Sequence, residues 1–132
     1  MKHIISSIIL AFGLFITTTN YAQVNHGTNT LGPLGSGIGS DNEVPAENAA
    51  AIGKMNRLFS PSSAIVGTEN NMNLNSRRSS FIAGHRNTVD HNFSFAFGMS
   101  NYINQTQSGA FGVNNTVNSL NSFALGHSNK TN

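Results

Sequence analysis

The chain has 132 residues, no cysteine and no tryptophan, and only 9% of its residues are charged. The length suits one modest domain, and the lack of cysteine excludes disulfides and zinc–thiolate sites. Seven Lys or Arg residues against five Asp or Glu residues give a formal net charge of +2. These cations are too few and too scattered for a nucleic-acid-binding face, so we expect no nucleic-acid partner.

Residues 1–22 have the layout of a secretory signal peptide. Lys2 and His3 give a positive start, residues 4–17 are apolar, and Ala22 puts a small residue before the expected cut. The apolar run is shorter than the roughly 20 residues of a membrane span, although a retained N-terminal anchor is the alternative. We therefore expect export to the cell surface, the outer membrane or the extracellular space, with no membrane span in the mature chain.

A single repeat organises the rest of the chain. Seven glycines recur at a sequence separation of fourteen, except for one separation of seventeen between the third and the fourth, and an asparagine stands three positions after each glycine. The landmark glycines are Gly39, Gly53, Gly67, Gly84, Gly98, Gly112 and Gly126, and the asparagines are Asn42, Asn56, Asn70, Asn87, Asn101, Asn115 and Asn129. Fixed periodicity of this kind is typical of stacked-repeat proteins.

Each repeat has room for two short strands and two tight turns. Residues 94–97 and 122–125 alternate with period two before a landmark glycine, which indicates a strand. The glycine then permits a positive φ or a close backbone approach, and a second strand follows around the Asn-x-Val of residues 87–89 and 115–117. We predict an all-β parallel solenoid or β-roll of about seven coils. Asparagines stacked in register are expected to form ladders of amide hydrogen bonds, and to tolerate left-handed turns.

The repeat also sets the expected domain limits. Residues 35–132 are expected to form the repeat domain, and residues 23–34, which have no period, a flexible lead-in, with a partial cap as the alternative. The one longer separation, between Gly67 and Gly84, predicts a bulged loop within residues 73–79, which contain Arg77 and Arg78. With His85 and Arg86 these two arginines make the main basic group, for which a solvated edge is the expected role.

The alternation predicts an apolar stripe on the outside of the coils. Residues two positions before the landmark glycine are mostly small and suit a thin interior, so residues one and three positions before it point outward. The large outward residues are Phe81, Phe95, Phe97, Phe111, Phe123 and Leu125. A stripe of this kind marks an interaction surface, and a homotrimer would bury it by bringing three faces together on one axis. The alternative is that these residues form the core of a wider, triangular solenoid.

The Ser-x-Ala-x-Gly units at residues 94–98 and 122–126 resemble the head repeats of trimeric autotransporter adhesins, the YadA-like left-handed parallel β-roll. The resemblance covers about residues 35–132. It implies a homotrimeric bacterial surface head that attaches to extracellular matrix, host cells or other bacteria. No heptad pattern for a stalk follows the array, which stops six positions after Gly126. The chain is therefore expected to be a fragment, the product of a truncated gene, or a head that needs something beyond its terminus. A passive structural spacer, or a tail-fibre-like segment that presents another domain, is the alternative.

The sequence contains few groups that could do chemistry. The five acidic residues are scattered and suggest no paired-carboxylate site. His85 and His127 share a repeat position but lie three coils apart, which does not make converging metal ligands. A flat ice- or polysaccharide-binding face is disfavoured, because Thr88 and Thr116 share their position with Asn71 and Tyr102. We expect no catalytic residue, no metal site and no cofactor, so the protein is not expected to be an enzyme.

Overall fold

A computed structural model describes residues 25–73 and 79–132 of the chain. This part consists of strands and turns and contains no helix. Long and short strands alternate along it, as the repeat predicts. The strands are β1 (Asn25–His26), β2 (Thr30–Leu31), β3 (Gly35–Ser40), β4 (Glu43–Val44), β5 (Ala49–Lys54), β6 (Arg57–Leu58), β7 (Ala64–Thr68), β8 (Asn71–Met72), β9 (Phe81–His85), β10 (Thr88–Val89), β11 (Phe95–Met99), β12 (Tyr102–Ile103), β13 (Gly109–Val113), β14 (Thr116–Val117), β15 (Phe123–His127) and β16 (Lys130–Thr131).

The strands form two parallel sheets of eight strands each. The odd-numbered strands pair in chain order in one sheet, which we call the long-strand sheet, and the even-numbered strands pair in the other, the short-strand sheet. Each coil therefore adds one strand to each sheet, directly beside the strand of the coil before it. The predicted parallel β-solenoid of about seven coils, with one sequence repeat in each coil, is confirmed.

The landmark glycines pair with one another along the long-strand sheet, so they mark the register of the coils. Gly98 lies between Gly84 and Gly112, and its φ is 112°. A Cβ atom at Gly98 would stand 2.1 Å from the carbonyl oxygen of Gly112. Both the left-handed φ and the close approach of the next coil therefore require glycine here.

A thin apolar interior fills the space between the two sheets. Ala96, two positions before a landmark glycine, and Ile103, five positions after it, are fully buried and come from opposite sheets. The same two positions are filled in the other coils by Ala51, Leu58, Ile65, Met72, Ile82, Val89, Ala110 and Val117, all of them fully buried. Full burial of a Val, Leu or Ile side chain stabilises the fold by about 1.5–3 kcal/mol. Because the phenylalanines lie outside this two-sheet interior, the triangular-core alternative is wrong.

Residues 25–34 correct the expectation of a flexible lead-in. Strand β1 pairs with β3, and β2 pairs with β4, so these residues extend both sheets. Asn29 accepts a hydrogen bond from the side-chain amide of Asn42 over 2.8 Å, which places it in the same column as the repeat asparagines. The array therefore starts earlier than the periodicity of the sequence shows.

The single insertion does not interrupt the stack. Strands β7 and β9 pair across it in the long-strand sheet, and β8 and β10 pair across it in the short-strand sheet. The extra residues therefore lie between β8 and β9, where the spacing predicted them. Arg77, Arg78 and the signal peptide expected at residues 1–22 lie outside the described residues.

Candidate interaction surface

A ladder of buried asparagine side chains supports the turn that follows the long strand. Asn101 shows its geometry: its Nδ2 atom donates to Oδ1 of Asn87 over 2.9 Å and to the carbonyl oxygen of Gly112 over 2.9 Å. Its Oδ1 atom accepts from the backbone N–H of Asn115 over 3.1 Å and from Nδ2 of the same residue over 3.0 Å. The buried amide therefore uses both its donors and its acceptor, linking three successive coils.

The same contacts recur in every coil that the structure describes. Each asparagine donates to the asparagine of the preceding coil, and the donors are Asn42, Asn56, Asn70, Asn87, Asn101, Asn115 and Asn129. All but Asn129 also donate to the landmark glycine of the following coil. Fully satisfied networks of this kind hold a single register, because an unpaired buried amide is unfavourable.

A second ladder, of serines, runs along the start of the long strands and was missed by the sequence reasoning. The backbone N–H of Ser108 donates to Oγ of Ser94 over 3.3 Å, and Oγ of Ser108 donates to the carbonyl oxygen of Ser119 over 2.9 Å. Ser80 and Ser122 make the equivalent backbone contacts to the coil before them. The signal that could have revealed it is the column of small residues four positions before each landmark glycine.

The part of the long-strand sheet that precedes the landmark glycines has an outer face that is apolar apart from one serine. It is formed by the residues one and three positions before each landmark glycine, and we call it the apolar face. Its residues are Ser36, Ile38, Ala50, Ile52, Ala64, Val66, Phe81, Ala83, Phe95, Phe97, Gly109, Phe111, Phe123 and Leu125. None of them is charged. Leu125, Phe111 and Phe123 are the most exposed of the face, at 67%, 54% and 53%.

Five phenylalanine rings of the apolar face form one connected cluster. The Phe97 ring lies 5.4 Å from that of Phe81, 5.7 Å from that of Phe95 and 5.7 Å from that of Phe111, measured between centroids. The Phe95 ring also contacts that of Phe123, at 5.8 Å. Such separations fall in the range of favourable aromatic pairs. All six residues predicted for the stripe, including Leu125, therefore lie on one face, and the five rings contact one another directly.

Ion pairs connect neighbouring coils, one on the outer face of the short-strand sheet and one in the turns that follow the long strands. Arg57 Nε donates to Glu43 Oε2 over 3.0 Å, and Arg86 Nε donates to Glu69 Oε2 over 2.6 Å. The hydrogen bond from Arg86 holds the pKa of the Glu69 carboxyl below its usual value. Exposed pairs of this kind contribute little to stability, so they are not what holds the coils together.

The outer face of the short-strand sheet is polar instead. The hydroxyl of Tyr102 donates to Oδ2 of Asp90 over 2.8 Å, and Nδ2 of Asn73 donates to the other carboxylate oxygen of Asp90. The hydrogen bond to Asp90 raises the pKa of the Tyr102 hydroxyl, and partial burial adds to the effect. The two outer faces of the solenoid thus differ in kind, since one is a continuous apolar surface and the other a network of polar side chains.

The described residues contain no cluster of possible metal ligands. Within residues 25–73 and 79–132, no three His, Asp or Glu side chains come together as possible metal ligands. Met99 and Val113 lie between His85 and His127 along the long-strand sheet, so these two histidines do not converge. The same part of the chain has no helix that is long and apolar enough for a membrane span.

No family model matches this chain, and comparison with curated proteins and with solved structures finds no similar protein.

Proposed function

We propose that the chain is a non-enzymatic surface head that self-associates through the apolar face and acts in attachment outside the cell. The observation that carries the proposal is the apolar face itself, a continuous uncharged surface with three large side chains more than half exposed. Exposed apolar patches of this extent mark interaction sites. The expected signal peptide and the resemblance to trimeric autotransporter heads support the location and the role in adhesion.

The area of the apolar face fits an interface between copies of this chain. Seven strands about 4.8 Å apart and three residues of about 3.3 Å each give the apolar face a footprint of about 330 Å². Three such faces that meet on one axis together bury about 1,000 Å², which is the level expected of a specific interface. A second copy needs no complementary charge, because no residue of this face is charged. In the homotrimer that the resemblance implies, each chain would bury its face against two others.

Self-association also places the remaining surfaces where an attachment ligand can reach them. Burying the apolar face leaves the polar outer face of the short-strand sheet and the rim of the solenoid in contact with solvent. Several heads in one assembly then present the same binding surface several times, which raises avidity without a new contact. The ligand-binding residues themselves are not assigned, and the proposed ligand class is extracellular matrix or the surface of another cell.

The test compares two Phe→Ser variants that differ only in the face they affect. Phe111 is 54% exposed on the apolar face, and Phe93 is 51% exposed in the turn that closes a coil. The repeat already has serine at the position of Phe93, in Ser62 and Ser79, and the φ of Phe93, 53°, equals that of Ser62. Phe93→Ser is therefore a matched control for solubility and composition.

We expect the wild-type chain to form oligomers in light scattering and sedimentation. Phe111→Ser should weaken this association at least about tenfold, because it removes an exposed aromatic anchor. Binding to immobilised matrix proteins or cultured cells should fall in the same variant, whereas Phe93→Ser should retain both properties. A wild-type chain that stays monomeric at high concentration, or equal effects of the two variants, would contradict the proposal.

A passive spacer is the second candidate, and the asparagine ladder favours it. The ladder runs from Asn29 to Asn129 with a hydrogen bond between successive coils, which makes the solenoid a stiff rod. A spacer of this kind would self-associate through the apolar face but bind no matrix protein or cell. The binding measurement on wild-type oligomers therefore separates the two candidates.

A further inference from the structure

Gly109 departs from the other residues of the apolar face, because it has no side chain. It pairs directly with Phe95 of the preceding coil, and the tip of the Phe95 ring covers it. A Cβ atom at Gly109 would stand 2.4 Å from Cζ of Phe95 and 2.6 Å from both Cε atoms. The φ of Gly109 is not left-handed, so glycine is not required here by the backbone. The requirement comes from the ring of Phe95.

The position of the Phe95 ring determines the shape of the aromatic cluster. By lying across Gly109, the ring reaches over one coil and contacts Phe123, two coils away. It also keeps its contact with Phe97 in its own strand. A ring laid flat over a strand glycine replaces the missing side-chain contacts of that glycine. The Phe95 ring thus occupies the space that a side chain at position 109 would fill, so the apolar face has no hollow there.

Because the Phe95 ring lies flat, the most exposed apolar side chains of the face are those of Phe111, Phe123 and Leu125. Phe95 is 36% exposed, against 53% for Phe123 and 67% for Leu125. Exposed aromatic side chains that rest on a packed support can act as anchors of an interface, and Phe111 and Phe123 are the aromatic residues here. A side chain that is already held in position also loses less conformational freedom when a partner binds.

We propose that Gly109 is a positioning residue for self-association, and that the contact with a second copy is strongest over the last three coils. This inference rests on the proposed self-association. Gly109 touches no partner. Because Gly109 has no side chain, the Phe95 ring can lie flat against the strand of Gly109. A second copy then contacts an even surface formed by Phe111, Phe123 and Leu125.

The experiment is a double-mutant cycle between Phe95 and Gly109. Gly109→Ala adds one methyl group under the ring and should weaken self-association about tenfold, measured by sedimentation of the full chain. In a Phe95→Ala background the same Gly109→Ala change should have no effect on association, because no ring remains to be displaced. Alanine is favoured over glycine within a strand, so a purely local backbone effect would have the opposite sign.

A second measurement reports the ring position without relying on association. In the wild-type chain, the Hα protons of Gly109 should show a ring-current shift in nuclear magnetic resonance spectra, and this shift should disappear in Phe95→Ala. An associating chain in which Gly109→Ala changes nothing, or acts equally in both backgrounds, would overturn the inference and leave the proposed function standing. A chain that stays monomeric in every variant would overturn both.

Discussion

The side-chain amide of Asn87 donates to Oδ1 of Asn70 over 3.1 Å, although the two positions are separated by the one longer repeat of the chain. The backbone N–H of Asn87 donates to the same oxygen over 3.0 Å. Both bonds have the geometry found between asparagines one ordinary repeat apart, such as Asn101 and Asn87. The extra residues are therefore absorbed outside the ladder, and the ladder, rather than the spacing in the sequence, keeps the coils in register.

Removal of an amide from the middle of the ladder should destabilise the fold strongly. Asn101→Ala removes the side-chain donor to the carbonyl oxygen of Gly112 and the oxygen that accepts from the backbone N–H and Nδ2 of Asn115, although Nδ2 keeps its bond to Gly126. We expect a loss on the order of 3 kcal/mol in the free energy of unfolding, measured in urea, because buried polar groups become unpaired. Asn129→Ala is the control: Asn129 is exposed and donates to no following glycine, so it should lose under about 1 kcal/mol. Equal losses would show that the ladder does not act as a network.

A methyl group at a landmark glycine should interfere with the stacking of coils. At Gly98 it would meet the carbonyl oxygen of Gly112 at 2.1 Å, whereas at Gly126 its nearest neighbour would be Nδ2 of Asn129 at 3.3 Å. The two φ values, 112° and 114°, are nearly the same, so the left-handed strain is matched. Gly98→Ala should therefore destabilise the chain by at least about 2 kcal/mol more than Gly126→Ala in thermal or urea unfolding. Similar losses would assign the effect to backbone strain alone.

The ion pair between Arg86 and Glu69 predicts a change in one titration. The hydrogen bond from Arg86 lowers the pKa of Glu69 in the folded chain. The contribution of this bond to stability is therefore present above the pKa of the unfolded chain and is lost as the pH falls through the pKa of the folded chain. In Arg86→Gln, the Glu69 carboxyl should titrate at a higher pH, as followed by nuclear magnetic resonance. Arg57→Gln, which affects the other ion pair, should leave that titration unchanged. High salt should reduce the difference between wild type and Arg86→Gln.

The bond between Tyr102 and Asp90 should be visible at alkaline pH. The hydrogen bond to Asp90 raises the pKa of Tyr102 in the folded chain. The contribution of this bond to stability is therefore present below the pKa of the unfolded chain and is lost as the pH rises through the pKa of the folded chain. Asp90→Asn should shift the formation of phenolate, followed by ultraviolet absorbance in a Tyr21→Phe background, to lower pH. Glu43→Gln should not shift it. An unchanged titration in Asp90→Asn would place the cause of the raised pKa elsewhere.

The sequence alone determined the period, the two strands of each coil and the columns of glycine and asparagine. These features recur because each coil needs the same type of residue at the same position, so that residue appears in every repeat of the sequence. The close stacking of the glycines illustrates this, because each Cβ from Gly39 to Gly112 would meet the next coil at about the same distance. The outward direction of the phenylalanines could also be predicted, since alternation in a strand assigns each residue to one of two faces.

Features that depend on contacts between unlike residues of different coils could be seen only in the tertiary structure. The hydrogen bonds of the serine ladder could not be predicted, because a small residue in a column does not show whether its hydroxyl bonds to the next coil. Residues 25–34 have no visible period, yet their backbone pairs with β3 and β4, since parallel pairing requires main-chain groups and not a particular side chain. The position of Phe95 over Gly109 depends on a rotamer chosen by a neighbour in the next coil, and no pattern within one repeat contains that choice.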